Sequence, residues 1–355
     1  MAASRGRQGE NSVVPEPAAL LPAILLAAIP SLIYLGILNA IDRYEKEPWQ
    51  ILIACVGGGA ILAPILSVAI LALMGRPLQL TPSLAPGAGG GDPLVAVIQE
   101  LVKGAILIAL TRSVRSEFDD VLDGLVYGAA LGAGFGATET LVYAAGGTAG
   151  LETGTIVALL VSGLNHAFYG AVLGTILGAA RRFGDARLEW IAAVYGVLTA
   201  ALLHALHDAL PSILSRLLDR PDAAVGTATR MLADGINVLG LITLAVAVGF
   251  AWRREGRVVR DELREEVANG IVPPEDYEAL PSPGLRLRRQ YEILRSGGGI
   301  DRVRVLRRLY ATEGELAFHK WRLAARRRHR PDPARTELLR GEIVRLRLVM
   351  ADTDR

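Results

Sequence analysis

The sequence predicts an all-α, polytopic membrane helical bundle of about seven transmembrane helices with a charged helical C-terminal cytosolic tail. Three observations carry that expectation. The 355 residues are 51% apolar yet 21% charged, a mixture that fits neither an ordinary soluble domain nor a pure membrane bundle. The mixture separates when the chain is divided after Trp252: residues 1–252 carry 14 Lys+Arg and 19 Asp+Glu, whereas the 103 residues that follow carry 24 and 17. Within the first part, seven apolar runs are each long enough to cross a hydrocarbon core, which takes roughly 20 helical residues.

In chain order, residues 1–17 read as a flexible N-terminal segment. The runs at about 18–41, 49–74, 93–112, 121–146, 154–180, 188–214 and 225–252 read as spans, so that 18–252 forms a seven-span membrane domain and 253–355 the tail. The first run has no clear cleavage site and is read as a span, not a signal peptide. The third and fourth are the least hydrophobic, carrying Glu100, Lys103, Asp123 and Glu139. They stay in the count because an irregular lipid-exposed segment would leave backbone groups unpaired. Gly87 to Gly91 marks a Pro- and Gly-rich external loop. Gly124, Gly128 and Gly132 recur every fourth residue, as do Gly170, Gly174 and Gly178, stripes that let helix backbones approach closely. Gly132, Gly134 and Gly136 lie inside a span with no preceding strand, which argues against a phosphate loop. In the tail, Val259–Ala268 is helical in pattern and ended by Gly270, and Pro273-Pro274-Glu275 starts a short element. Residues 300–330 and 334–351 form a helical hairpin broken at Pro331 and Pro333. The Arg326–Arg330 run reads as a solvated helix end, with contact to anionic headgroups as the second reading.

Seven spans place the termini on opposite sides. Eleven basic residues, among them Arg43, Arg112, Arg181 and Arg253, fall on one side and five on the other. The positive-inside bias then puts the tail in the cytosol and the N-terminus outside. A single cysteine, Cys55, excludes an intramolecular disulfide and a cysteine metal cluster. A net charge of +2 with 5% aromatics gives no reason to expect nucleic-acid binding.

Ionisable residues inside spans are costly, about 2.5–3.5 kcal/mol each on insertion scales, and each needs a reason. Those picked out are Glu100 and Lys103, Asp123 and Glu139, His166, and His204, His207 and Asp208. With the orientation above, Glu100, Glu139, His166, His204 and Asp208 all fall in the outer half of the membrane. Independent structural ion pairs have no reason to agree in depth; a shared site does. His204 and Asp208 are i,i+4 on one helix face, and Gln99 and Glu100 lie one turn from Lys103. A carboxylate and an imidazole in a wet pocket polarise water, and a second imidazole stabilises an oxyanion. Alternatively, two histidines and a Glu (Glu139, His166, His204) hold a divalent metal such as zinc. Taken singly, each residue has a plainer role: an interhelical ion pair for Glu100 with Lys103, helix packing for His166 and His207.

The ordered motifs resemble those of the PrsW-type intramembrane proteases, a family related in motif logic to the CAAX prenyl proteases. Asp42-Arg43-Tyr44-Glu45-Lys46-Glu47-Pro48 is similar to its signature after the first span. Gln99-Glu100-Leu101-Val102-Lys103 looks like its Glu-Glu-x-x-Lys motif, and Phe118 to Gly128 like the segment entering the next helix. Gly134 to Tyr143 resembles its Gly-Phe-x-x-x-Glu-Asn-x-x-Tyr element, and Asn165-His166-Ala167-Phe168 and His204-Ala205-Leu206-His207-Asp208 its two histidine motifs. The resemblance covers about residues 30–210. It implies an endopeptidase that cleaves a membrane-anchored protein, such as an anti-sigma factor, near the outer face of a bacterial cell membrane. By this resemblance Glu100 and Glu139 are acid/base or ligand carboxylates, His166 activates water, and His204 with Asp208 stabilises the oxyanion or completes a metal site. Gln99, Lys103 and His207 support them, Lys103 by holding Glu100 ionised. Three positions depart from the pattern: Gln99 stands for the first Glu, Thr140 for Asn and Asp208 for the commoner Asn. Gln99 favours, as an alternative, a catalytically inactive partner-binding member. A proton-coupled transporter is the second alternative, since intramembrane Asp, Glu and His also line ion paths.

Overall fold

The computed structural model describes residues 17–41, 47–76, 92–114, 118, 120–145, 153–181, 183–219, 223–324 and 333–352. Among these residues every regular element is a helix: α1 (Pro17–Ile41), α2 (Trp49–Leu73), α3 (Pro93–Ser113), α4 (Val121–Ala145), α5 (Thr153–Arg181), α6 (Ala186–Leu217) and α7 (Ala223–Ala268). These seven are long and apolar enough to cross a membrane, as the hydropathy pattern predicts. Four more follow: α8 (Pro274–Ala279), α9 (Pro283–Arg295), α10 (Gly299–Ala324) and α11 (Pro333–Asp352). The expected N-terminal segment before Pro17, the signature residues Asp42 to Lys46, the loop Gly87 to Gly91 and the run Arg326 to Arg330 lie outside the described residues. The chain divides into two compact units, one of residues 1–40 with 47–242, the other of 41–46 with 243–355. Helix α7 supplies residues to both.

The helix starts of the first unit follow from local side-chain chemistry. Asp92 accepts from the Leu94 amide at 2.9 Å with Pro93 at the first helical position of α3, and Asp185 accepts from the Arg187 amide at 2.8 Å to start α6. Asp123, three residues into α4, accepts from the Asp120 amide at 2.8 Å, the reciprocal half of a capping box. That bond, with the Asp120 carboxylate on the Val121 amide, gives the entrance aspartates an end-capping job. Glu47, the last acidic residue of the signature, accepts the buried Tyr127 hydroxyl of α4.

Helices α4 and α5 form the centre of this unit, and their glycine stripes face each other. A Cβ added at Gly128 would overlap the Gly170 carbonyl, and one at Gly132 would overlap the carbonyl of His166. The backbones are therefore in direct contact, which only glycine permits. Gly134 points the other way, against Val56 and Ala60 of α2, where α2 winds as a π-helix over Gly58–Leu62. A π turn disrupts the regular i→i−4 ladder, and Thr138 donates its hydroxyl to the Ala60 carbonyl at 2.6 Å there. Gly132 and Gly134 thus serve two packing faces of one helix.

In the second unit α7 runs without a break past Trp252 to Ala268, farther than the expected end of the seventh span. Arg347 donates to the carbonyls of Gly270 and Ile271, both at 2.8 Å, where Gly270 turns the chain at φ +70°. Val259, Leu263, Leu306, Leu309, Leu316 and Ile343 form its apolar core. The hairpin expected from 300–330 and 334–351 is present as α10 and α11, α10 ending at Ala324. Helix α9, capped by Ser282 with Pro283 at its first position, was not anticipated as an element, although Ser-Pro is a readable start signal.

Candidate active site

Five helices of the first unit bring buried and half-buried polar side chains to one place. Helix α3 supplies Glu100 and Lys103, α4 Glu139, α5 Ser162, Asn165, His166 and Tyr169, α6 His204, His207 and Asp208, and α7 Asp234 and Asn237. Helical spacing sets each group: 100 and 103, or 162, 166 and 169, lie one turn apart on a face. Glu100 and Lys103 are fully buried and 2.5 Å apart. Two buried charges at that separation compensate much of each other's desolvation.

The hydrogen bonds specify the tautomers. An ammonium only donates, so Lys103 Nζ, 3.2 Å from His166 Nδ1, makes that nitrogen an acceptor. His166 Nε2 then carries the hydrogen and donates to Glu139 Oε2 at 2.8 Å, where Ser162 Oγ also donates at 2.8 Å. His204 Nδ1 donates to Glu100 Oε1 at 2.8 Å, leaving Nε2 facing Asp208 Oδ2 at 3.7 Å. The two imidazoles stand edge to face, centroids 4.9 Å apart, and His204 stacks on the Tyr169 ring at 4.7 Å. Phe135 closes the other side, 4.8 Å from His166 and 4.6 Å from the Lys103 ammonium.

Two oxygens in this dense network have no partner. Among the described residues, Glu100 Oε2 and Glu139 Oε1 are buried without a hydrogen bond. An acceptor left open in a buried site is expensive and marks a place for a further donor or a cation. One ligand atom each of Glu100, His166 and His204 lies within 4.8 Å of the others, and a carboxylate with two imidazoles is a donor set that suits zinc. The residues present therefore fit a divalent ion. The carboxylate of that compact trio is Glu100, while Glu139 bonds the far nitrogen of His166.

Of the residues singled out from the sequence, Glu100, Lys103, Glu139, His166 and His204 share one hydrogen-bonded network, and Asp208 faces His204 at 3.7 Å beside His207; among the described residues Gln99 and the helix-capping Asp123 do not join. Gln99 is buried on α3, yet among the described residues the bonds that link α3 to the histidines run through Glu100 and Lys103. Asp234 was missed. It accepts from His207 Nε2 at 2.9 Å and from Asn165 Nδ2 at 3.2 Å, while His207 Nδ1 lies 3.3 Å from Asp208. Three residues on, Asn237 donates to the Tyr169 hydroxyl at 2.7 Å. An aspartate inside the seventh apolar run was the signal available, as readable as those of the third, fourth and sixth.

The family described as "PrsW family intramembrane metalloprotease" matches residues 47–233, more than half of the chain, a stretch that holds the cluster from Glu100 to Asp208 and stops one residue before Asp234. Protease PrsW of Bacillus subtilis strain 168 is 29% identical over 201 residues, 54% of this chain and 84% of that protein. Protease PrsW of Geobacillus kaustophilus is 28% identical over 169 residues, 47% and 69% of the two chains. Protease PrsW of Halalkalibacterium halodurans is 34% identical over 100 residues, 28% and 44%. No solved structure matches the chain. With its apolar helices, its buried Glu–His–His group and this match, the chain is an integral membrane protein that belongs to the PrsW family of intramembrane metalloproteases.

Proposed function

We propose that this chain is an active endopeptidase that cuts a membrane-anchored protein of the anti-sigma-factor kind near the outer face of a bacterial cell membrane. In this reading residues 18–252 carry the protease, the N-terminus lies outside, and residues 253–355 form a cytosolic tail. The observation that carries it is the pair of open carboxylate oxygens beside two ordered imidazoles. Structural ion pairs have no use for an open acceptor; hydrolysis needs one to take a proton from water.

Glu100, His166 and His204 would hold the divalent ion, which when bound supplies the Lewis acidity that lets water ionise near neutral pH. Glu139 is the proton acceptor: its Oε2 is held by Ser162 and His166, so Oε1 is presented with one orientation. The same carboxyl then returns the proton to the leaving amide nitrogen. His204 has its ring plane fixed by Tyr169 and its Nδ1 by Glu100. Lys103 pairs with Glu100 at 2.5 Å and adds positive charge beside the developing oxyanion. Asp208, His207 and Asp234 are positioning residues that act through His204. Gln99, the departure that favours an inactive member, stands outside these bonds, so its lack of a basic oxygen removes nothing from the set.

The test uses Glu139→Gln and His166→Ala in cells that co-express a library of single-span substrates. Each variant is expected to reduce cleavage by at least about 10³-fold, near the upper end for loss of general acid–base catalysis, with expression unchanged. Cleavage at the wild-type rate by both would sink the proposal.

A further inference from the structure

The second unit carries an unusual group of arginines. Where α7 leaves its apolar run, Arg253, Arg257 and Arg260 recur at i, i+4 and i+7 and so share one face of the helix. A neighbouring face, Val259 and Leu263, is buried in the core. The three arginines line a cleft of about 730 Å³ with Phe250, Trp252 and Pro281. Its walls are anchored: Trp252 Nε1 donates to the Ile41 carbonyl at 2.7 Å, and the Tyr277 hydroxyl donates to the Arg260 carbonyl at 3.0 Å.

Elsewhere in this unit the arginines are typically matched with carboxylates. Arg304 meets Asp301 at 2.6 Å, Arg308 meets Glu342 at 2.6 Å, Arg335 meets Glu315 at 2.7 Å and Arg340 meets Glu266 at 2.7 Å. Among the described residues none of Arg253, Arg257 and Arg260 has a carboxylate partner. All three are exposed, and Arg253 does no more than lie 5.9 Å from the Phe250 ring. Seven residues of helix rise about 10 Å, so three like charges sit close together along one wall with no carboxylate partner among the described residues.

We propose that this cleft binds the phosphate headgroup of an anionic phospholipid. Guanidinium forks pair bidentately with phosphate oxygens, which a lysine cluster does less well. The apolar end of the cleft, Phe250 and Trp252, takes the glycerol and first acyl carbons, since aromatic rings of this kind settle at the headgroup level. Charge alone would suit free phosphate equally; the adjoining aromatic pair and the apolar run of α7 that ends there favour a lipid. The site is separate from the protease cluster and does not depend on the proposed proteolysis.

The experiment is native mass spectrometry of the full chain in detergent, titrated with phosphatidylglycerol or with phosphatidylcholine. Wild type should retain phosphatidylglycerol on the order of tenfold more strongly than phosphatidylcholine, a modest share of what three basic residues at a membrane surface can supply. The triple variant Arg253→Gln, Arg257→Gln, Arg260→Gln should lose that preference. A control triple of equal charge, Arg304→Gln, Arg308→Gln, Arg335→Gln, should keep it. Should the glutamine triple fail to fold, the corresponding lysine triple is measured instead and should lose at least about half of the preference, because the forks are gone. Equal retention by wild type and the arginine-cleft variants overturns the proposal, as does an equal loss in the control triple. Displacement of the lipid by inorganic phosphate at the same concentration would mark a free-anion site and overturn it too.

Discussion

Glu100 and Glu266 are both fully buried carboxylates, and each is paired with a lysine, Lys103 at 2.5 Å and Lys320 at 2.7 Å. Their second oxygens differ. Glu266 Oε2 receives the Arg340 guanidinium at 3.0 Å, while the other nitrogen of that fork reaches Oε1 at 2.7 Å. Glu100 Oε2 receives nothing among the described residues, and neither does Glu139 Oε1. The Glu266 carboxylate is saturated, whereas the two carboxylates proposed to react each keep a lone pair open among the described residues. Glu313 of the second unit is a third case, fully buried with both oxygens unpartnered among the described residues and no imidazole among the charged groups that shift it. Burial, with the nearby Asp276 carboxylate, pushes its carboxyl well above the usual range against the weaker pull of Arg289 and Arg347. Its surroundings favour the neutral acid over the charged base.

The sharpest way to break this contrast is to neutralise one carboxylate of each kind. Glu139→Gln keeps the shape and an amide oxygen to accept from Ser162 and His166. It should remove the activity, about 10³-fold or more, while unfolding in detergent shifts by less than about 1 kcal/mol. Glu266→Ala should do the opposite. It strands Lys320 and Arg340 beside a buried gap and should cost the second unit about 3–5 kcal/mol, with cleavage rate unchanged, as read by denaturant unfolding and by the same cleavage assay. If Glu266→Ala abolished cleavage at full stability, the division between holding and reacting carboxylates would be wrong.

A smaller effect tests how far the site extends. Asp234→Ala should lower cleavage by roughly 10- to 100-fold, the usual cost of removing an outer partner of a ligand set. Asp234→Glu should restore part of it, and bound zinc per chain should fall with the alanine variant. Unchanged zinc and rate would confine the site to the four helices α3–α6. The smallest effect is a slope. Because Glu313 holds its proton in the folded state above the pH at which the unfolded chain releases it, stability falls as pH rises above about 4.3, the free glutamate value. The fall is at most about 1.4 kcal/mol per pH unit. Glu313→Gln should flatten that slope and be more stable than wild type at the alkaline end, measured by denaturant midpoints across pH.

Much of the architecture is legible in the sequence, because span length and hydropathy are properties of single segments. The ends of α3 and α4 fall within a residue or so of the expected 93–112 and 121–146. The Glu100–Lys103 pair is also readable, since i,i+3 spacing on one helix fixes it. What was not legible depends on partners distant in sequence. The π turn of α2 arises where Gly58 and Gly59 meet α3 and α4, and no local propensity announces it. That the carboxylate nearest both imidazoles is Glu100, with Glu139 on the far side of His166, depends on how α3 and α4 are rotated about their axes. Asp234 was overlooked for a plainer reason: no motif containing it was recognised, although its cost inside an apolar run called for a partner.

The glycine contact between α4 and α5 has a consequence for how the molecule can move. At Gly132 the obstacle to a Cβ is a carbonyl oxygen of the neighbouring backbone, whereas at Gly104, between α3 and α6, it is the Val197 side chain. Side chains can change rotamer; a peptide carbonyl locked in its helix cannot. Glu139 and His166 therefore ride on a rigid body that neither slides nor rolls without atomic overlap. Glu100 and His204 ride on a pair with compliance in its contact. Any relative adjustment between the two pairs falls to α3 and α6, so Glu139 keeps its register with His166 while the facing pair yields.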